Sequence, residues 1–151
     1  MNKLLISILA LAGGIALAAQ SGLNSQLGIS LKHPLLASAC AFFASSLFAI
    51  IFVAFAVKDF PSLQQIKTIP IYLWFTGGLL SVIGIAIYLY TIPKLGISTM
   101  ISLGLCGQLI FAAIAGHFGW LNVPTEPLTL RKCIGLAAMI FGILIINIKP
   151  S

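Results

Sequence analysis

Residues 34–57 read PLLASACAFFASSLFAIIFVAFAV, with no charged side chain among them. As an α-helix this stretch would be about 36 Å long at ~1.5 Å per residue. That length is enough to cross the ~30 Å hydrocarbon core of a bilayer. Pro34 opens it, at a helical position where a missing N–H costs nothing, and Lys58 follows its end. The stretch reads as a transmembrane helix.

Working outward, four more segments share its character. The first runs from Leu4 to about Gly28, the third from near Pro70 to Thr91, the fourth from about Ile97 to Phe118, and the fifth from Leu130 to Ile148. Thr129 is a plausible N-cap for the last. The connections are short: Lys32-His33, then Lys58 to Ile69, then Pro93-Lys94-Leu95-Gly96, then Gly119 to Leu128. Short connections make sequential helices antiparallel neighbours. Tyr72, Trp74, Tyr88, Tyr90 and Trp120 fall near segment ends, where aromatic side chains form interfacial belts. The expected fold is all-α: one transmembrane domain over residues 1–151, a polytopic bundle of about five helices spanning 4–28, 34–57, 70–91, 97–118 and 130–148.

Composition excludes the soluble alternatives. Of 151 residues, 60% are hydrophobic and 7% are charged, against roughly 25% charged in an ordinary soluble domain. A water-facing surface cannot be built from so few charges. The net charge of +6 does not point to nucleic acid. Its cations are scattered at segment ends, whereas a nucleic-acid surface gathers them on one face. The partner expected instead is the lipid bilayer. Met1-Asn2-Lys3, the apolar run and Ala16-Leu17-Ala18 imitate a secretory signal. Four further spans follow, so cleavage is not expected.

With five spans, one side of the membrane carries Lys3, Lys58, Lys67, Arg131 and Lys132, and the other carries Lys32, Lys94 and Lys149. The positive-inside rule then favours a cytoplasmic N-terminus, by a margin small enough to allow insertion in both orientations.

Catalytic chemistry finds no footing. Asp59 and Glu126 lie in loops, and His33 and His117 lie at or near segment ends. No paired carboxylates, Ser/His/Asp set, HExxH or nucleotide-binding glycine loop is present. No enzyme activity, no cofactor and no metal is therefore expected. Cys40, Cys106 and Cys133 read as small apolar residues. No span carries an Asp or Glu, so any transport pathway must be lined by neutral groups or backbone. Gln20 and Asn24 are four residues apart and share a helix face. Gly77, Ser81, Gly84 and Tyr88 form one stripe, and Gly104 and Gln108 another. Gln20, Asn24, Ser81, Tyr88 and Gln108 are the candidate pathway residues. The alternative role for the amides is interhelical glue, and for Tyr88 a place in the aromatic belt. Gly77, Gly78, Gly84, Gly135 and Gly142 are candidate helix-packing positions.

The order of motifs is informative as a set. Gln20-x-x-x-Asn24-x-x-Leu27-Gly28 is followed by Pro34-Leu35, Gly77-Gly78 and Pro93-Lys94-Leu95-Gly96. Gly107-Gln108-Leu109, His117-Phe118-Gly119 and Pro127-Leu128 come next, ahead of Arg131 and Gly135. Over nearly its whole length the chain resembles the YdcZ-like family of bacterial inner-membrane exporters in the drug/metabolite transporter superfamily. The resemblance implies a five-helix unit similar to half of a ten-helix member, whose halves are inverted repeats. It implies Gln20, Asn24 and Gln108 as pathway positions. The family often carries an acid just before His-Phe-Gly, where this chain has Gly116.

The expected function is secondary transport, without ATP, of a small neutral, zwitterionic or amphiphilic solute in the bacterial inner membrane. One chain supplies one repeat. The expected assembly is therefore a homodimer, antiparallel if it is to form an inverted pair, or a heterodimer with a related chain. The alternative is a non-transporting membrane subunit that packs against a partner membrane protein.

Overall fold

The computed structural model describes residues 2–122 and 124–148. Lys149, one of the flanking cations, lies outside them. The chain is helical: α1 Lys3–Ser30, α2 Pro34–Ala56, α3 Leu63–Thr68, α4 Ile71–Leu95, α5 Ile97–Phe118, a 3-10 turn Trp120–Asn122, and α6 Leu130–Ile146. Among the described residues there is no strand. Helices α1, α2, α4 and α5 are long and apolar enough to cross a membrane. At 17 residues, α6 sits at the short end of the ~17–25 that a span uses.

Local chemistry accounts for the boundaries. The Asn2 side chain accepts the Leu4 N–H at the start of α1. Pro34 stands in the first turn of α2. The Thr129 hydroxyl accepts the Lys132 N–H at 3.3 Å and caps α6. Between α4 and α5, Gly96 takes φ 83, and Gly119 ends α5 at φ 64. Both conformations are open to glycine at no steric cost.

Two local features differ from the sequence reading. The loop after α2 contains the short helix α3, started by a capping box. The Ser62 hydroxyl accepts the Gln65 N–H, and the Ser62 N–H donates to Gln65 Oε1 at 2.8 Å. Helix α4 also runs past Thr91 through Pro93 to Leu95. Pro93 removes one N–H from the ladder near the helix end, where the loss is local.

Several hydroxyls along the spans bond back to their own helix. Ser7 donates to the Lys3 carbonyl at 3.0 Å, Thr76 to Tyr72 at 2.7 Å, Thr91 to Ile87 at 2.8 Å and Ser102 to Ser98 at 2.7 Å. A donor that bonds back one turn can face hydrocarbon without an unmet bond.

By its contacts the chain forms two compact units, Met1–Lys94 and Leu95–Ser151. In the first, α1 packs on α2, with Ser25 and Gly28 of α1 and Ala37 and Ser38 of α2 all buried. A Cβ placed on Gly28 would lie 3.5 Å from Ala37 Cβ and 3.7 Å from Pro34 Cα. Glycine there lets the two backbones come close. In the second, α5 packs on α6, and Met100, Ala115 and Ile143 are buried. Most large apolar side chains are exposed, Phe55 at 84% and Leu23 at 68% among them. An apolar surface of this extent suits hydrocarbon as its solvent.

Candidate functional site

The site begins with small residues on two helices, α2 and α4, that border one space without packing directly on each other. In the first unit, α2 presents Ser38, with Phe42 four residues on, and α4 presents Gly78 and Ser81. Together with Leu35, Ala39 and Val82 they line a cavity of about 670 Å³. The lack of a side chain at Gly78 leaves room that a larger residue would fill. Among the described residues, no charged side chain lines this cavity.

Its polar groups have a defined sense. Ser38 Oγ donates to the Pro34 carbonyl at 3.0 Å, and Ser81 Oγ donates to the Gly77 carbonyl at 2.9 Å. A serine hydroxyl has one proton and two lone pairs. With both protons committed to backbone and Ser38 buried, what remains for a guest is acceptor capacity at Ser81. The cavity can therefore hold an apolar body and accept hydrogen bonds from a donor on it. It offers nothing to offset an unpaired negative charge.

Of the sequence-predicted pathway residues, Ser81 lines this cavity. Tyr88 lies two turns further along α4, half-buried, and its carbonyl accepts a bond from the Thr91 hydroxyl at 3.2 Å. Gln20 and Asn24 are half-buried on α1 and do not line the cavity. Gln108 is on α5 in the second unit, where its side chain is exposed. Sequence reasoning passed over Ser38 and Phe42. Their signal was a serine in the first turns after Pro34 with an aromatic four residues on.

The candidate packing glycines present open faces. A Cβ on Gly77, Gly78, Gly84, Gly135 or Gly142 would meet no heavy atom within 4 Å. Within the chain, close backbone approach occurs instead at Gly28, named above only as part of a motif. Buried beside it, the Ser25 hydroxyl makes no hydrogen bond in the described chain.

The second unit holds a groove of about 330 Å³ between α5 and α6, walled by Leu109, Ala112, Leu136 and Met139 and closed at one end by Glu126 and Lys132. The loop before α6 is tied to the end of α5. The Glu126 N–H donates to the Gly116 carbonyl at 2.8 Å, and the Leu128 N–H donates to His117 Nδ1 at 3.1 Å. Lys132 Nζ donates to Glu126 Oε2 at 2.9 Å. That bond and the lysine's charge hold the Glu126 carboxyl below the usual carboxylate range. Glu126 Cβ lies 3.8 Å from where a Cβ on Gly116 would sit. The loop thus brings a carboxylate up to the position before His117 where the helix itself has none.

Neither the curated proteins nor the solved structures contain a match to this chain. A family model does match, over residues 5–145, and its description reads "Putative inner membrane exporter, YdcZ". With apolar helices of spanning length and a match that covers most of the sequence, this chain is a multi-pass membrane protein belonging to the YdcZ inner-membrane exporter family.

Proposed function

We propose that the chain is a secondary transporter, working without ATP, for a small neutral, zwitterionic or amphiphilic solute. The observation that carries this reading is the uncharged cavity between α2 and α4. Its volume falls within the ~300–1,000 Å³ typical of small-molecule sites. Its Ser81 oxygen accepts a bond from a solute's donor group, while Phe42, Leu35 and Val82 take the apolar part. The protein acts on its solute by binding and reorientation and has no catalytic role.

The working unit is a dimer. One chain corresponds to one half of a ten-helix drug/metabolite transporter, and alternating access needs a second half to move against. The open glycine faces at Gly77, Gly84, Gly135 and Gly142 support this, because small residues are where a second helix can approach closely. The assembly is an antiparallel homodimer or a heterodimer with a related chain. In one of its orientations the N-terminus is cytoplasmic, following the five-to-three distribution of Lys and Arg.

The test is a thermal-shift screen of the purified protein against metabolites and amphiphilic drugs, followed by counterflow in proteoliposomes with any hit. Ser81→Leu should fill the cavity and abolish both the shift and the flux. Flux equal to that of empty vesicles for every hit would defeat the reading. It would leave the non-transporting partner subunit in its place.

A further inference from the structure

The turn between α1 and α2 closes with the bond pair of a Schellman ending. The Lys32 N–H donates to the Ile29 carbonyl at 3.1 Å, and the His33 N–H donates to the Gly28 carbonyl at 3.1 Å. This ending places Lys32 in the left-handed region, at φ 55. Glycine is the usual occupant of that position, because a Cβ there crowds the following carbonyl. A lysine at this point strains the turn that it closes.

The strained residue borders a shallow cavity of about 220 Å³, lined by Lys32, His33 and Pro34 of the turn and by Tyr90, Pro93 and Lys94 of α4. The Lys94 ammonium lies 3.5 Å from the centroid of the Tyr90 ring. Among the described residues, no carboxylate lines this basin. Asp59 follows the opposite end of α2, and Glu126 is paired with Lys132. The helix ends do not cancel the two lysines. The C-termini of α1 and α4 contribute roughly −0.5 each and the N-terminus of α2 roughly +0.5, leaving about +1.5 from the two lysines and the three helix ends. The basin also sits where three helices of spanning length end, and the ends of such helices meet the lipid headgroup region.

We propose that this basin is a binding site for a phosphate oxyanion, held between the Lys32 and Lys94 ammonium groups. Two ammonium groups on separate elements suit a group with several charged oxygens. The oxyanion can belong to an anionic phospholipid headgroup or to a free phosphate. The strain at Lys32 is accepted because glycine, the relaxed choice, would remove half of the site.

The experiment compares the wild type with Lys32→Gly, Lys94→Gln and, as a control at the other end of the spans, Lys67→Gln. Native mass spectrometry measures retention of phosphatidylglycerol against phosphatidylcholine from mixed micelles. Thermal unfolding in inorganic phosphate measures the free anion. Each basin variant should weaken phosphatidylglycerol retention about fivefold, the effect expected for one lysine at a membrane surface. Lys67→Gln should not. Without phosphate or anionic lipid, Lys32→Gly should also unfold at the same or a higher temperature than the wild type. Saturable stabilisation by inorganic phosphate, lost in both basin variants, would support the site with a soluble source. Three results would each overturn the proposal: no effect of the basin variants on either probe, an equal effect of Lys67→Gln, or, without phosphate or anionic lipid, a lower unfolding temperature for Lys32→Gly.

Discussion

Substitutions at Gly28 test how α1 and α2 are held together. A Cβ there would meet Ala37 Cβ at 3.5 Å and Pro34 Cα at 3.7 Å, both ordinary van der Waals contacts. Gly28→Ala therefore needs no rearrangement, and it gains up to ~1 kcal/mol of helix propensity. Its stability should lie between unchanged and about 1 kcal/mol higher. Gly28→Leu is a different case. Its further carbons project into Ala37, which is 0% exposed, so the helices must separate. Overpacking of this kind costs ~1–3 kcal/mol. Separation also strains the bond from the His33 N–H to the Gly28 carbonyl, worth ~1 kcal/mol. The expected loss is about 2–4 kcal/mol. The assay is reversible unfolding in mixed micelles at rising dodecyl sulfate fraction, read by a fluorophore pair on the ends of α1 and α2. Equal stability of the Leu variant and the wild type, or equal damage from Ala and Leu, would refute this account of the interface.

Four other outcomes follow from the same geometry. Ser25→Ala should leave the unfolding midpoint unchanged or raise it, by up to ~1 kcal/mol, because it removes a buried hydroxyl without a hydrogen bond; a lower midpoint would reveal a partner for that hydroxyl. Gly84→Leu should leave unfolding of the single chain unchanged, since nothing lies within 4 Å of its Cβ position. It should lower dimerisation measured by energy transfer between labelled chains, and unaltered transfer would remove Gly84 from the interface. Gln108→Leu should abolish transport while expression and helicity hold, and retained flux would exclude it from the pathway. The Lys132 partner lowers the Glu126 carboxyl pKa from its ordinary value of 4.5, so the stabilisation is present above that value and is lost as pH falls through the lower folded value. Exchange protection of the Glu126 and Leu128 amides should fall on acidification in the wild type and be low at every pH in Glu126→Gln.

The spans were legible because bilayer thickness imposes a length on them, and uninterrupted runs such as 34–57 are visible without any knowledge of neighbours. What the sequence reading missed lies at the ends. Helix α3 was hidden by its six residues, although the S-x-x-Q pattern of Ser62 and Gln65 is a recognised start signal. The passage of α4 through Pro93 ran against the rule that proline stops helices. Near a terminus that rule is weak, because only one local bond is lost. The left-handed turn at Lys32 could not be read, since lysine carries no signal for that conformation.

The site was harder to read than the fold for a physical reason. In a soluble protein the apolar face of a helix marks its inside. In a membrane both the lipid side and the interior are apolar, so hydrophobicity no longer tells one face from the other. Polar residues are then the remaining markers, and serine is an ambiguous one. Ser7, Ser38, Ser81 and Ser102 all bond back to a carbonyl one turn earlier. A serine satisfied in this way can face lipid, a neighbouring helix or a cavity at similar cost. Ser81 lines the cavity and Ser7 does not, yet their local hydrogen bonding is the same. The difference comes from what stands opposite: Gly78 beside Ser81 on α4, and Ser38 and Phe42 across on α2. The cavity is therefore a property of two helices taken together, and a linear sequence shows which helices share a space only after the fold is known.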